Sequence, residues 1–409
     1  MLVYQLVDYM QMSGMVYSQR SVIREVRLPG RQSLFDILVG EDGLVAGVVA
    51  HDTAEQLPGR VIDGNGELAL PAFVDGHVHL DKTFLGIGWI SHLGHDGVAE
   101  RIQAEKELRR THSNTLSLRA ETLMSQMLRC GTTALRTHVD IDEVCRLSGL
   151  DVILALKEKY QDVIDMQVVA FPQSGLRGPP NVVEDLKAAL EAGANAVGGL
   201  DPTTIDGDLE GSLDTTFKLA ADHNACVDFH LHEPGEVGAA AIEGICRRTV
   251  GLQLQGRVVV SHGFCLADVP PPRLAALADA MAAAGVSLMT SAPGPGKLVP
   301  ITDLRARGVR VFTGSDNVRD AWAPSGNGDM LDRARLLAYR ADFRTDELLG
   351  FAFDCATNLP AEILGFQPRG PSVGSQADIV LLASSTLEEA VCDVPRRRRV
   401  IRKGRVIAE

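Results

Sequence analysis

The placement of histidine constrains this chain more than any other feature. Eight apolar, β-branched runs recur at 72–79, 132–138, 166–173, 196–201, 226–232, 258–262, 286–291 and 311–316. Nearly every run finishes in a residue capable of chemistry: His77 and His79, His138, Gln173, Asp201, His230 and His232, His262, and Asp316. Six of the eleven histidines fall at such ends, where random placement would scatter them. Amphipathic stretches separate the runs, among them 98–110, 116–129, 182–192, 213–223 and 271–284. Strand alternating with helix predicts parallel pairing, and eight such units predict a closed (β/α)8 barrel. Counting alone also admits a doubly wound open sheet. The run ends favour the barrel, because barrel enzymes carry their active sites at the C-terminal ends of the strands.

The flanks differ in texture. Residues 21–70 and 365–409 read as short strands with turn signals such as Gly40–Gly43, Asp63–Gly66 and Lys403–Gly404. Neither flank holds enough apolar residues for its own core. Together they are expected to close a small β-sandwich beside a barrel spanning 71–364. Residues 1–20 lack the basic region, continuous apolar core and cleavage site of a signal peptide, and read as an extension outside the fold. The basic run Arg396, Arg397, Arg398, Arg399, Arg402, Lys403 and Arg405 alternates with Val400, Ile401, Val406 and Ile407. It predicts a terminal hairpin with a solvated, charged outer face, a binding patch being the alternative.

Composition narrows the partners. A net charge of −13 disfavours sequence-independent binding to phosphate backbones, so no nucleic-acid partner is expected. No run of 18 or more apolar residues exists, so no membrane span is expected. Seven cysteines without a C-x-x-C pair suggest reduced thiols and a cytoplasmic address. A homo-oligomer acting on a small molecule is the expectation.

His77-Val78-His79 is the sharpest local motif. Residues i and i+2 of a strand share a face, so both imidazoles can reach one ion. Alone the motif is weak. His230-Leu231-His232 repeats the spacing on the fifth run, followed by His262 on the sixth and Asp316 on the eighth. Two or three imidazoles and one carboxylate suit Zn²⁺ or Fe²⁺ with a position left for water. A bound divalent ion lowers the pKa of its water toward ~7. Attack on an sp² carbon then needs a base, a role open to Asp316, and an acid, a role open to Glu233. Glu233 also reads as a helix-start carboxylate favoured by the helix dipole.

Seven stretches carry a resemblance: PAFVDGHVHLDKTF (71–84), RTHVD (136–140), MQVVAFPQSG (166–175), GGLDPTT (198–204), FHLHEPGEVG (229–238), SHGFCLADV (261–269) and GSDNVRDAW…GNGDM (314–330). On them the chain resembles the amidohydrolase superfamily, in the branch holding cytosine deaminase and N-isopropylammelide isopropylaminohydrolase. The resemblance implies a TIM-like barrel with a flanking β-sandwich and one catalytic metal. It implies His77, His79, His230 and Asp316 as ligands, His262 as the residue polarising water or oxyanion, and Glu233 as the proton-transfer carboxylate. Lys82, Asp201, His232 and Asn317 look like the isopropylaminohydrolase. Glu233 stands where that enzyme has Asp, and Gln173 is shared by both enzymes. Superfamily members with two metals bridge them by a lysine on strand four, and run 196–201 has none. That absence implies a mononuclear site.

The resemblance implies a metal-dependent aminohydrolase cleaving an exocyclic C–N bond of a pyrimidine- or triazine-like ring. A cyclic-amide hydrolase is the alternative, and a non-enzymatic binder is a third reading disfavoured by the complete ligand set. Lys82, Gln173, Asp201, Asn317 and Trp322 are the expected substrate contacts. Lys82 and Asp201 alternatively form a buried ion pair at the mouth, and Arg319 is expected to pair with Asp320. Ordinary packing is the alternative for Trp322. His138 is expected to hydrogen-bond a ligand or strand one. His51, His92, His95, His112 and His223 are assigned no chemistry.

Overall fold

The computed structural model describes residues 21–53, 59–92, 97–178, 181–294, 296–396 and 398–409. The 1–20 extension, His95 and Arg397 lie outside these residues. Eight parallel strands follow one another around a barrel in chain order: Phe73–Val78, Thr132–Asp140, Asp165–Phe171, Ala196–Leu200, Cys226–Leu231, Val258–His262, Val286–Thr290 and Val311–Thr313. Six of them are buried at every residue. Helices cover the outside while side chains fill the inside, which is why the runs are nearly continuous in apolar residues rather than alternating. The eighth strand returns to the first. Asp316 N donates to His77 O at 2.7 Å and His79 N donates to Asp316 O at 3.3 Å. Gly314 permits this closure, since a Cβ there would stand 2.5 Å from the His77 carbonyl oxygen.

Several strands stop one to three residues before the runs do. His79, Gln173, Asp201, His232 and Asp316 therefore stand just past the ladder rather than in it. The backbone turns out of the sheet at three of the run ends: φ is +35° at Asp201, +74° at His262, the last residue of its strand, and +60° at Asp316. Non-glycine residues in the left-handed region carry strain, and here the strain coincides with the polar rim. The helix expected from 213 begins at Leu209, because Asp208 caps it by accepting from Gly211 N.

A second, mixed sheet draws on both ends of the described chain. Ile379–Leu382 pairs antiparallel with Leu68–Pro71 and with Arg398–Arg402, and Ser21–Arg27 links it to Leu34–Val39 and Val45–Ala50. Alternation divides its side chains between two cores. Ala69, Ile379 and Leu381 pack with Ile23, Val26 and Ile37, and Leu68, Leu70, Val380 and Leu382 pack against Phe73, Met330 and Phe353 of the barrel domain.

The terminal hairpin forms about Lys403–Gly404, both at positive φ. Its expected solvated face does not. Arg398 and Arg402 are buried: Arg398 pairs with Asp329 at 2.7 Å, and Arg402 pairs with Asp165 at 2.8 Å and Asp378 at 2.6 Å. Arg399 pairs with Glu67. The hairpin lies against the barrel, so the Arg398, Arg399 and Arg402 guanidinium groups meet carboxylates from elsewhere in the chain, while Arg396 is exposed. Among the described residues, no helix is long and apolar enough to cross a membrane.

Candidate active site and metal centre

Strand ends that are distant in sequence gather six imidazoles. The His77 ring centroid lies 5.3 Å from His79, 4.7 Å from His230, 5.5 Å from His262 and 3.9 Å from His138. His232 stacks on His262 at 4.6 Å. Asp316 closes the cluster: its Oδ1 lies 3.7 Å from His77 Nε2 and 3.6 Å from His79 Nε2, and its Oδ2 lies 3.9 Å from His262 Nδ1. Ser291 Oγ donates to Asp316 Oδ2 at 3.1 Å.

Burial holds His77, His79, His230 and His262 well below the ordinary histidine pKa, so each ring is neutral with a free lone pair. His77 Nε2, His79 Nδ1 and both nitrogens of His230 are buried without a hydrogen-bond partner. Orphaned polar atoms of this kind are costly, and a bound cation satisfies them. Among the described residues, two histidine groups have ligand atoms within 4.8 Å of one another: His77 with His230 and His262, and His77 with His79 and His138. The donor set therefore fits a divalent metal ion.

Ser261 and Asp228 support this cluster and were not apparent in the sequence. Asp228 is fully buried on the fifth strand, beside His138 and Arg136. Burial alone would raise its pKa, but the neighbouring His138 ring and the Arg136 guanidinium hold it below the ordinary carboxylate value. Ser261 donates to Asp228 at 2.7 Å and lies 3.0 Å from His77 Nδ1. The D-F-H pattern at 228–230 hints at Asp228, since residues two apart share the barrel interior.

An open cavity of about 940 Å³ is lined by His232, His262, Asp316, Asn317 and Trp322. Lys82, Gln173 and Asp201 are buried and fall outside that lining. Lys82 does not pair with Asp201. Its Nζ donates to Gln173 Oε1 at 3.0 Å and lies 3.3 Å from Asp140 and 3.5 Å from Glu105. Burial opposes the lysine charge, but Asp140, Glu105 and Asp81 together raise its pKa. Asp201 instead accepts from the His232 backbone at 2.6 Å and lies 2.9 Å from His232 Nδ1. Nor does Arg319 pair with Asp320. Arg319 lies over Trp89, while Asp320 accepts from Asn317 Nδ2 at 2.6 Å and from the Trp322 and Ala323 backbones.

Glu233 is buried just beyond the fifth strand. Its Oε1 accepts from the Thr203 and Thr204 backbones at 2.7 Å each, and its Oε2 has no partner. Burial raises its pKa, outweighing those two hydrogen bonds.

An amidohydrolase family model matches residues 115–408. N-isopropylammelide isopropyl amidohydrolase of Pseudomonas sp. (strain ADP) is 33% identical over 95% of this chain and 97% of its own length. The crystal structure of N-isopropylammelide isopropylaminohydrolase from Burkholderia multivorans superposes with a TM-score of 0.90 at 38% identity, covering 95% of this chain and 98% of that one. The structure of 5-methylcytosine deaminase from Klebsiella pneumoniae, liganded with 5-fluorocytosine, gives 0.81 at 25% identity, with coverages of 94% and 97%. The barrel, its histidine clusters and these likenesses agree: the chain belongs to the amidohydrolase family, in the branch of these relatives, and is a hydrolase of carbon–nitrogen bonds.

Proposed function

We propose that this enzyme removes an exocyclic amine or alkylamine from a pyrimidine- or triazine-like ring, with Zn²⁺ or Fe²⁺ held by His77, His79, His230 and Asp316. The observation that carries the reading is the convergence of neutral, partly orphaned imidazoles on the Asp316 carboxylate. A divalent ion bound there supplies Lewis acidity and a water ionisable near neutral pH. Asp316, beside His262 and held by Ser291, takes the water proton at Oδ2. His262 stabilises negative charge developing on the attacked carbon's oxygen. Glu233 is anchored at Oε1 and carries a proton on Oε2, favoured by its raised pKa. It delivers that proton to the ring or leaving nitrogen, assisted by His232. Asn317 and Trp322 contact the ring from the cavity wall, with Lys82, Gln173 and Asp201 completing the substrate set. His138 acts behind the ligands.

Release of ammonia or alkylamine from N-isopropylammelide, 5-methylcytosine and a pterin tests the reading, together with metal content per chain. Turnover of at least one ring, one ion per chain and loss of turnover in His230→Ala are expected. Failure of every amine, or two ions per chain, points to the alternative, a cyclic-amide hydrolase. A homo-oligomer and a cytoplasmic address belong to the same proposal. Seven free cysteines support the address, and light scattering measures the assembly.

A further inference from the structure

The cavity wall hangs on a buried carboxylate that the proposed chemistry does not use. Glu105 lies on the helix Val98–His112 and is 2% exposed. Its Oε2 accepts from the Trp322 indole N–H at 2.9 Å and stands 3.5 Å from Lys82 Nζ. Lys82 Nζ is in turn 5.4 Å from the Trp322 ring centroid. The Trp322 backbone N–H is held separately, by Asp320 Oδ1 at 2.8 Å. The same helix contributes Val98 and Arg101 to the cavity lining. A buried carboxylate is retained only with partners. The partners of Glu105 are two residues assigned above to the substrate, one aromatic and one cationic. Asp140 faces Lys82 at 3.3 Å but also pairs with Arg109 at 2.9 Å, so Glu105 contributes to the charge around the ammonium. It contributes direction as well, because a single oxygen ties the indole and the ammonium together.

We propose that Glu105 is a positioning residue for substrate, holding the Trp322 ring plane and the Lys82 ammonium in the arrangement that receives a nitrogen heterocycle. This rests on the heterocycle reading above. The chain has two tryptophans, and Trp89 is 65% exposed and outside the cavity. In a Trp89→Phe background, Trp322 fluorescence therefore reports alone.

In Glu105→Leu, which offers the indole no acceptor, acrylamide quenching of Trp322 is expected to rise about threefold. KM for N-isopropylammelide is expected to rise about tenfold while kcat stays within about threefold. Glu105→Gln keeps an acceptor, so it restores wild-type quenching while KM stays raised. Unchanged quenching and KM in Glu105→Leu, or a loss confined to kcat, overturn the proposal. Should Glu105→Leu fail to fold, Glu105→Gln decides: a raised KM with wild-type quenching supports the proposal, and a wild-type KM overturns it. Should the parent enzyme turn over no heterocycle, the substrate reading falls, and the quenching of the two variants still decides whether Glu105 holds Trp322.

Discussion

Ser261 Oγ lies 3.0 Å from His77 Nδ1 and gives its own proton to Asp228 at 2.7 Å. A hydroxyl has one proton to donate, so Ser261 must accept from His77 Nδ1–H. That sets the tautomer and leaves the Nε2 lone pair facing Asp316. Ser261→Ala removes this constraint and deprives Asp228 Oδ1 of its hydroxyl donor, while Arg136 still donates to Oδ2 at 3.1 Å. Metal affinity is expected to fall by roughly 10- to 100-fold. Competition with a chelator measures it, and an unchanged dissociation constant would show that the serine does not orient His77.

Glu233→Gln retains an oxygen for the Thr203 and Thr204 backbones, so folding and metal content should stay as in the parent. The proton proposed on Oε2 is lost. A fall in kcat of about 10² to 10⁴ with little change in KM is the expected outcome. Steady-state kinetics on the responding ring substrate check it. A change confined to KM would place Glu233 in binding rather than proton transfer.

Asp320 makes a pH prediction with a definite sign. Burial first, then the nearby charge of Glu105, pushes its pKa from 3.8 up to about 7. Between those values the folded state binds more protons at this site than the unfolded chain does. Stability therefore falls as pH rises through that window, by at most about 1.4 kcal/mol per pH unit from this group. Asp75, raised by burial to about 6, acts with the same sign over a narrower range. Asp320→Asn should flatten the decline in urea-unfolding free energy between pH 4 and 7. An identical pH slope in parent and variant would refute the assignment.

The brace between sheet and barrel gives a stability prediction. Arg402 is 2% exposed and meets Asp165, Asp378 and the Thr133 carbonyl. Arg402→Met takes the nearest cation from buried Asp378, which keeps Gln376 at 2.7 Å and Arg369 at 3.6 Å, and from half-buried Asp165; a loss of about 3 kcal/mol, the lower end for broken buried ion pairs, is expected. Chemical denaturation reads the loss. A change below about 1 kcal/mol would mean that the carboxylates find other partners or water.

Local pattern was enough to predict eight strands, because each is buried by helices outside and side chains inside and so needs an apolar run. The same-face spacing of His77 and His79 follows from strand geometry alone, as does the polar character of the run ends. Strand termini were less legible. Asp201, His262 and Asp316 adopt left-handed turns that their side chains do not announce.

Partnership was decided by tertiary structure. His77 and Ser261 are 184 residues apart, and Glu105 and Trp322 are 217 apart. No periodicity links such pairs, since only barrel closure brings the first strand to the sixth strand and the eighth-strand loop to the helix after strand one. The same reason sends Lys82 to Gln173 and Asp140 instead of Asp201, and turns the arginine-rich hairpin from a solvated edge into a buried brace. The sequence by itself determined which residue types stand at the strand ends and hence which chemistry is available. Closure of the barrel decided which of them meet, because hydrogen bonds and ion pairs depend on distances of a few ångströms that chain order does not encode.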